Sequence, residues 1–206
     1  MSVEISWLGH ASVMIQTDTI VLYIDPWKIG TASPKADIIL LTHDHYDHYS
    51  EDDIALLATD TTRIVAPMLT EVVTDVINTG ESLELDDVIV EALPAYNINK
   101  NFHPRANNWV GYIVDICGRR VYHTGDTDRI PEMKGLSVDV ALMPVGGTYT
   151  MTADDAGRAL SDMHAEYVIP IHYGDIVGSG KDAQRLSDIS TSTVHILQPG
   201  ESFILE

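Results

Sequence analysis

Six consecutive residues, His43-Asp44-His45-Tyr46-Asp47-His48, follow directly on the largely apolar run 36–42. That run lacks an alternation of apolar and polar positions, the pattern of a strand covered on both faces. A buried strand that stops at imidazole and carboxylate groups delivers them to one end of a sheet, where residues from other strand ends can converge. With an extended backbone, positions 43, 45 and 47 share one side while 47 and 48 point apart, so one short segment can feed two metal centres. Imidazole nitrogen and carboxylate oxygen suit zinc, with manganese or iron as further candidates. The chain has a single cysteine, Cys117, which argues against a closed thiolate site and for open coordination positions that hold water. A solvated histidine-rich turn is the competing reading, and the buried strand before the cluster speaks against it.

The surrounding pattern predicts strands over 3–7, 12–16 and 20–24, an antiparallel start, and then the buried strand ahead of the histidines. Ser50-Glu51-Asp52-Asp53 precedes an apolar stretch with the chemistry of a helix start, so a helix leaves the cluster. Further on, the residues predict a strand over 62–66, a helix over 67–77 with proline near its start, and a strand over 88–93. A hairpin follows over 109–116 and 120–124, turning at Cys117-Gly118-Arg119, where the cysteine serves packing or the turn. A strand over 138–144, a helix over 153–164, a strand over 167–171, a helix over 181–187 and strands over 193–197 and 202–205 complete the pattern. Strand-rich and strand-helix stretches in two similar halves imply two sheets covered by outer helices. A chain of 206 residues suits one domain over 1–206.

Composition bounds the partners. Hydrophobic residues make up 45% of the chain and charged residues 21%, as in ordinary globular proteins. The formal charge of −19, with 12 lysines and arginines that form no patch, disfavours nucleic acid. No run reaches the length of a membrane span, and the start of the chain lacks a secretory pattern, so a cytoplasmic location and a small-molecule substrate are expected. Homo-oligomerisation is compatible with the composition and not required by it.

The segment Thr42-His43-Asp44-His45-Tyr46-Asp47-His48 resembles the signature of the metallo-β-lactamase superfamily, and the order of later elements agrees along nearly the whole chain. The resemblance implies an α/β fold, a four-layer αββα sandwich. It assigns Asp25, in Tyr23-Ile24-Asp25-Pro26-Trp27, to supporting the ligand loop from behind. It assigns Asp126, in Tyr122-His123-Thr124-Gly125-Asp126-Thr127, to bridging two ions, and His172, in Ile171-His172-Tyr173-Gly174, to the last histidine ligand. One family histidine is missing from its usual place, where Asn97 stands, and His103 follows six residues later. Either could fill the role, and an amide oxygen is the poorer ligand for a transition metal, which favours His103. The stretches Trp7-Leu8-Gly9-His10-Ala11-Ser12 and Pro144-Val145-Gly146-Gly147-Thr148-Tyr149-Thr150-Met151 look most like the small hydrolase branch that includes ascorbate-6-phosphate lactonase and resembles N-acyl-phosphatidylethanolamine phospholipase D. His10 and His123 stand outside the ligand set, as supports, substrate borders or plain structural groups.

The resemblance then implies a hydrolase in which His43, His45 and His103 hold one ion, Asp47, His48 and His172 a second, and Asp126 joins them. Two ions about 3.5 to 4 Å apart would turn bound water into hydroxide near neutral pH. Asp47, the catalytic carboxylate, would orient it. Such a centre can open an ester, lactone, amide or phosphodiester bond. Thr148, Tyr149, Tyr173 and Arg105, in loops next to ligand positions, are candidate substrate contacts. Two other functions fit the same residues: a non-haem iron oxidoreductase of the same fold, and a metal-binding module without turnover, suggested by Asn97.

Overall fold

The computed structural model describes residues 2–206. The first half opens with an antiparallel meander of β1 (Val3–Gly9), β2 (Ser12–Gln16) and β3 (Val21–Ile24). It then turns parallel through β4 (Ile38–Leu40), β5 (Arg63–Ala66) and β6 (Asp75–Val76), while β14 (Ser202–Leu205) returns from the end of the chain to pair with β1. The second half repeats the plan. Strands β7 (Ser82–Leu85), β8 (Val88–Pro94), β9 (Val110–Ile116) and β10 (Arg119–His123) run antiparallel, and β11 (Ser137–Pro144), β12 (His164–Ile171) and β13 (Thr193–Val194) continue in parallel. The two sheets have seven strands each.

The apolar run ahead of the histidines is explained by what lies on either side of it. Leu22, Ile24, Ile38, Leu40 and Val65 point into the core between the sheets, where they meet Val90, Val114, Val140 and Ile169 of the other sheet. Their neighbours Tyr23, Ile39, Leu41, Ile64 and Ala66 point outward and are covered by Ile54 and Leu57 of α1 (Glu51–Leu57). On the far side, α2 (Ala153–Leu160) and α3 (Gly180–Ile189) bury Ala156, Ala159, Ala183 and Leu186. The order of layers is α1, first sheet, second sheet, α2 with α3, the αββα sandwich expected.

Several elements differ from expectation. Residues 67–77 form no helix. The stretch carries Val72, Val73, Thr74 and Val76, β-branched residues that favour extended backbone. Thr74 also ties itself to β5, its hydroxyl accepting from the Ile64 N–H at 2.8 Å, and β6 follows. The helix expected over 153–164 stops at Leu160, because the chain is drawn into the sheet: His164 donates its N–H to the Leu136 carbonyl at 2.8 Å and pairs with Ser137. Strand β7 was not anticipated, and of the strand expected over 193–197 only Thr193 and Val194 pair.

Among the candidate site residues, Asp25, His43, Asp126 and His172 follow the carboxyl ends of β3, β4, β10 and β12. In each case the backbone leaves the sheet just where a polar side chain appears, so the site gathers at one edge of both sheets.

Candidate metal centre

Asp25 organises the ligand loop from beneath. Its carboxylate is fully buried and accepts from the Thr42 N–H at 2.7 Å, the Thr42 hydroxyl at 2.6 Å and His48 Nδ1 at 2.7 Å. A carboxylate only accepts, so Nδ1 of His48 carries the proton and Nε2 faces the site. Beyond His45 the segment is not extended. The N–H groups of His48 and Tyr49 both return to the His45 carbonyl, at 2.9 and 2.8 Å, and this turn leads into α1, capped by the Ser50 hydroxyl. The turn brings Asp47 and His48 to His10 and His172, while the His48 ring stays 4.1 Å from that of His43.

Three groups of ligand-type atoms result, and one of them, Asp25 with His43 and His48, takes its histidines from the other two. In the first, Nε2 of His43 lies 3.0 Å from Nδ1 of His45, and His103 completes the set. In the second, Asp47, His48 and His172 meet, with His10 beside them; within each group the atoms lie within 4.8 Å of one another. Asp126 stands between the groups. Its Oδ2 is 3.2 Å from Nε2 of His103 and 3.0 Å from Nε2 of His172, and its Oδ1 is 3.4 Å from Nε2 of His48. Yet Nε2 of His48, His103 and His172 and Oδ1 of Asp126 are buried without an aligned hydrogen-bond partner. Buried polar atoms left in that state are costly, and several of them converging with a carboxylate are what a divalent cation satisfies. The residues fit a metal.

Asn97 does not take the missing histidine's part. Its Oδ1 accepts from the His103 backbone N–H at 3.0 Å and from His103 Nδ1 at 3.3 Å, and its Nδ2 donates to the Tyr149 carbonyl at 2.9 Å. The amide is used up in holding the loop 97–103, and His103 is left with Nε2 toward Asp126. Trp109, at the mouth of β9, packs against His43, His45 and His103, with ring centroids 4.7 to 5.5 Å apart.

The charges follow from burial and proximity. Burial pushes the His43 and His45 imidazoles below their usual range, and neighbouring imidazoles add to the effect. Burial also opposes charge on His48, but Asp126, Asp25 and Asp47 outweigh it and lift that imidazole to about 9. Burial raises the carboxyl of Asp126, and His172 and His48 overcome this to hold it well below the carboxylate range. Asp47 shows the same balance, with the His10 hydrogen bond the largest lowering influence. Carboxylate oxygens face imidazole nitrogens, the donor set of a divalent cation, which on binding would displace the second proton of His48.

His10 is the residue that sequence reasoning set aside. It follows the irregular pairing of β1 and β2 between Trp7 and Gly9 and sits at φ 48°. Its carbonyl accepts from Trp7 Nε1 at 2.9 Å and from the His172 N–H at 2.7 Å, and its Nε2 donates to Asp47 Oδ2 at 3.0 Å. The Gly9-His10 pair in mid-hairpin was the available signal. His123 is structural: Nε2 bonds the Ala11 carbonyl at 2.8 Å and Nδ1 accepts from the Gly125 N–H at 3.2 Å, which shapes the turn before Asp126.

A cavity of about 260 Å³ opens over both groups, lined by His45, Tyr46, Asp47, Phe102, His103, Asp126, Tyr149 and Ile176. Of the four expected substrate contacts only Tyr149 lines it. Tyr173 is buried and stacked on Trp7 at 4.9 Å, because apolar burial claims its ring. Arg105 turns away to pair with Glu132 at 2.9 Å and lies over the Tyr96 ring. Thr148 is exposed in its loop, outside the lining.

Residues 4–172 match the family model described as a beta-lactamase superfamily domain. The chain belongs to the β-lactamase superfamily. Within that superfamily it is 34% identical over 214 aligned residues to a UPF0173 metal-dependent hydrolase of Thermoplasma volcanium, covering 93% of each chain. It superposes on the crystal structure of a candidate metal-dependent hydrolase from Parabacteroides distasonis with a TM-score of 0.84 and 34% identity, over 97% of this chain and 94% of that one. Igni18, a metallo hydrolase of Ignicoccus hospitalis, shares the superfamily fold at a TM-score of 0.82 and 24% identity, over 100% of this chain and 99% of its own.

Proposed function

We propose that this chain is a metal-dependent hydrolase acting on a small molecule, with one catalytic domain over 1–206 because both sheets supply the site. His43, His45 and His103 would hold one divalent ion and Asp47, His48 and His172 a second, with Asp126 shared between them; zinc suits this nitrogen and oxygen set best. The observation that carries the reading is Asp126, one of whose oxygens lies 3.2 Å from His103 and 3.0 Å from His172, so that a single carboxylate reaches both groups. Such ions, when bound, act as Lewis acids and make water a competent nucleophile near neutral pH.

The chain's own residues do the positioning. Asp25 fixes the His48 ring so that Nε2 faces Asp126, and Asn97 does the same for His103. Asp47 reaches the cavity with Oδ2 engaged by His10. Held below the usual carboxylate range, it stays ionised and aligns an attacking water by accepting its hydrogen bond. The bond cleaved is an ester, lactone, amide or phosphodiester.

Metal content of protein purified without a histidine tag, measured alongside hydrolysis of a panel of those bond types, tests the reading. Near two zinc or manganese ions per chain and metal-dependent turnover are expected. Tightly held iron with oxygen consumption and no hydrolysis would replace it with an oxidoreductase.

A further inference from the structure

The cavity wall has a simple division. His45, Asp47, His103 and Asp126 belong to the proposed metal set, and every other lining residue, Tyr46, Phe102, Tyr149 and Ile176, is aromatic or aliphatic. Phe102 and Tyr149 meet edge to face at 4.7 Å, and Tyr46 meets Trp27 edge to face at 6.1 Å, so the wall is an aromatic surface held from behind. Asn97 ties its two sides together, bonding His103, next to Phe102, and the Tyr149 carbonyl. Phe102 and Tyr46 nevertheless remain 47% and 67% exposed, so both rings keep apolar surface open to solvent.

Among the described residues, no lysine or arginine lines the cavity. The cations that could have turned toward it are engaged elsewhere: Lys100 with Asp128 and the Thr150 carbonyl, Lys28 with Asp175, and Arg105 with Glu132. A phosphodiester keeps its negative charge at neutral pH, and a site that favours it adds arginine or lysine beside its metal ions to hold the second phosphoryl oxygen. Here, beyond the proposed ions, its remaining charged oxygen would meet only the rings and aliphatic groups of Tyr46, Phe102, Tyr149 and Ile176.

We infer that the site takes an uncharged carboxylic ester, lactone or amide bearing an apolar arm that lies on Tyr46, Phe102, Tyr149 and Ile176, and that it discriminates against phosphodiesters. This inference rests on the proposed hydrolase reading. In the reaction the oxygen of water bonds to the acyl carbon and the bond from that carbon to the leaving oxygen or nitrogen breaks. One proton of the water passes to the leaving oxygen or nitrogen and the hydroxyl stays on the acyl carbon, giving a carboxylic acid with an alcohol or amine, or a single hydroxy acid from a lactone.

The test uses metal-loaded protein with p-nitrophenyl esters from acetate to octanoate and with bis(p-nitrophenyl) phosphate. The expected kcat/KM rises about threefold to fourfold per methylene until the wall is filled, and the diester is the poorer substrate. Phe102→Ala flattens that rise, and Phe102→Arg shifts the ratio toward the diester. In a second arm, metal-free protein is titrated with the neutral fluorophore N-phenyl-1-naphthylamine. Binding is expected, displaced by decanamide and not by dimethyl phosphate, and weakened roughly tenfold by Phe102→Ala. A diester cleaved better than every carboxylic ester, a flat chain-length series, or no fluorophore binding overturns the inference and leaves the hydrolase reading intact. Turnover of neither class by fully loaded protein sinks the hydrolase reading instead, and the fluorophore arm still decides whether the wall holds an apolar arm.

Discussion

Oδ1 of Asn97 accepts from both the backbone N–H and the ring Nδ1 of His103, at 3.0 and 3.3 Å. An amide oxygen has only acceptor capacity, so this bond places the ring proton on Nδ1 and leaves the Nε2 lone pair toward Asp126. In the proposed centre Asn97 would thus act on the metal through His103 rather than by touching it.

Asn97→Ala should therefore lower metal affinity at the first group by roughly tenfold to a hundredfold, the usual cost of losing the partner that orients a ligand. His103→Ala should reduce the metal content outright. Competition against a chromogenic chelator measures both. Unchanged metal content in His103→Ala would mean that the first ion, if bound, has no third histidine.

Asp25 bears on stability as well as on the site. Three hydrogen bonds converge on its buried carboxylate, two from Thr42 and one from His48. Asp25→Ala leaves these donors without an acceptor, and the expected loss is about 3 kcal/mol or more in urea unfolding, together with weaker metal binding at the second group. An Asp25→Asn protein should recover part of the stability, because the amide oxygen still accepts from Thr42, but it should hold His48 less firmly.

Much of the molecule was legible because its cues are local. The run 36–42 and the cluster after it identify a buried strand with a site at its end, and the structure places α1 over one face and the second sheet under the other. What escaped depends on distant contacts. Residues 67–77 have the hydrophobicity of a helix, and the hydrogen bond from the Ile64 N–H to Thr74 decides for a strand. His10 looked ambiguous because its partner, Asp47, is 37 residues away. Arg105 and Tyr173 neighbour ligands in sequence, but Glu132 and Trp7 claim their side chains.

Gly125 sets the turn that delivers Asp126. Its φ is +62°, and a Cβ there would stand 2.7 Å from the Val110 carbonyl and 3.3 Å from Thr42 Cβ. Gly125→Ala combines left-handed strain with overpacking against backbone, and the expected destabilisation is about 2 to 5 kcal/mol. Because the carboxylate next in the chain must move, metal content should fall even at temperatures where the fold persists. Circular dichroism and metal analysis on the same sample separate the two effects.

On the edge strand β6, Asp75 receives Arg63 Nε at 2.8 Å and Nη2 at 2.5 Å, and this pairing holds its carboxyl below the usual range. A carboxyl lowered in the folded state adds stability above its unfolded value, about 3.9, and that stability is lost as pH falls through the folded value. Arg63 is exposed, so the contribution is less than about 1 kcal/mol. Asp75→Asn should melt slightly below the parent protein at pH 7, and the gap should narrow on acidification below pH 4. A gap that stays constant with pH would assign the effect to packing instead.

Metal removal should expose how much of the fold the centre supports. The buried Nε2 atoms of His48, His103 and His172 and Oδ1 of Asp126 lack aligned partners. An ion that binds only the folded chain stabilises it by mass action, about 2.7 kcal/mol at a hundredfold excess over its Kd. Chelation should therefore lower Tm, and adding back zinc should raise it in proportion to the logarithm of free zinc. In Asp126→Ala both groups lose their shared carboxylate, so the zinc-dependent rise should shrink more than in His103→Ala, where the second group keeps its full set. Equal responses in the two variants would mean that Asp126 serves one ion and bridges none.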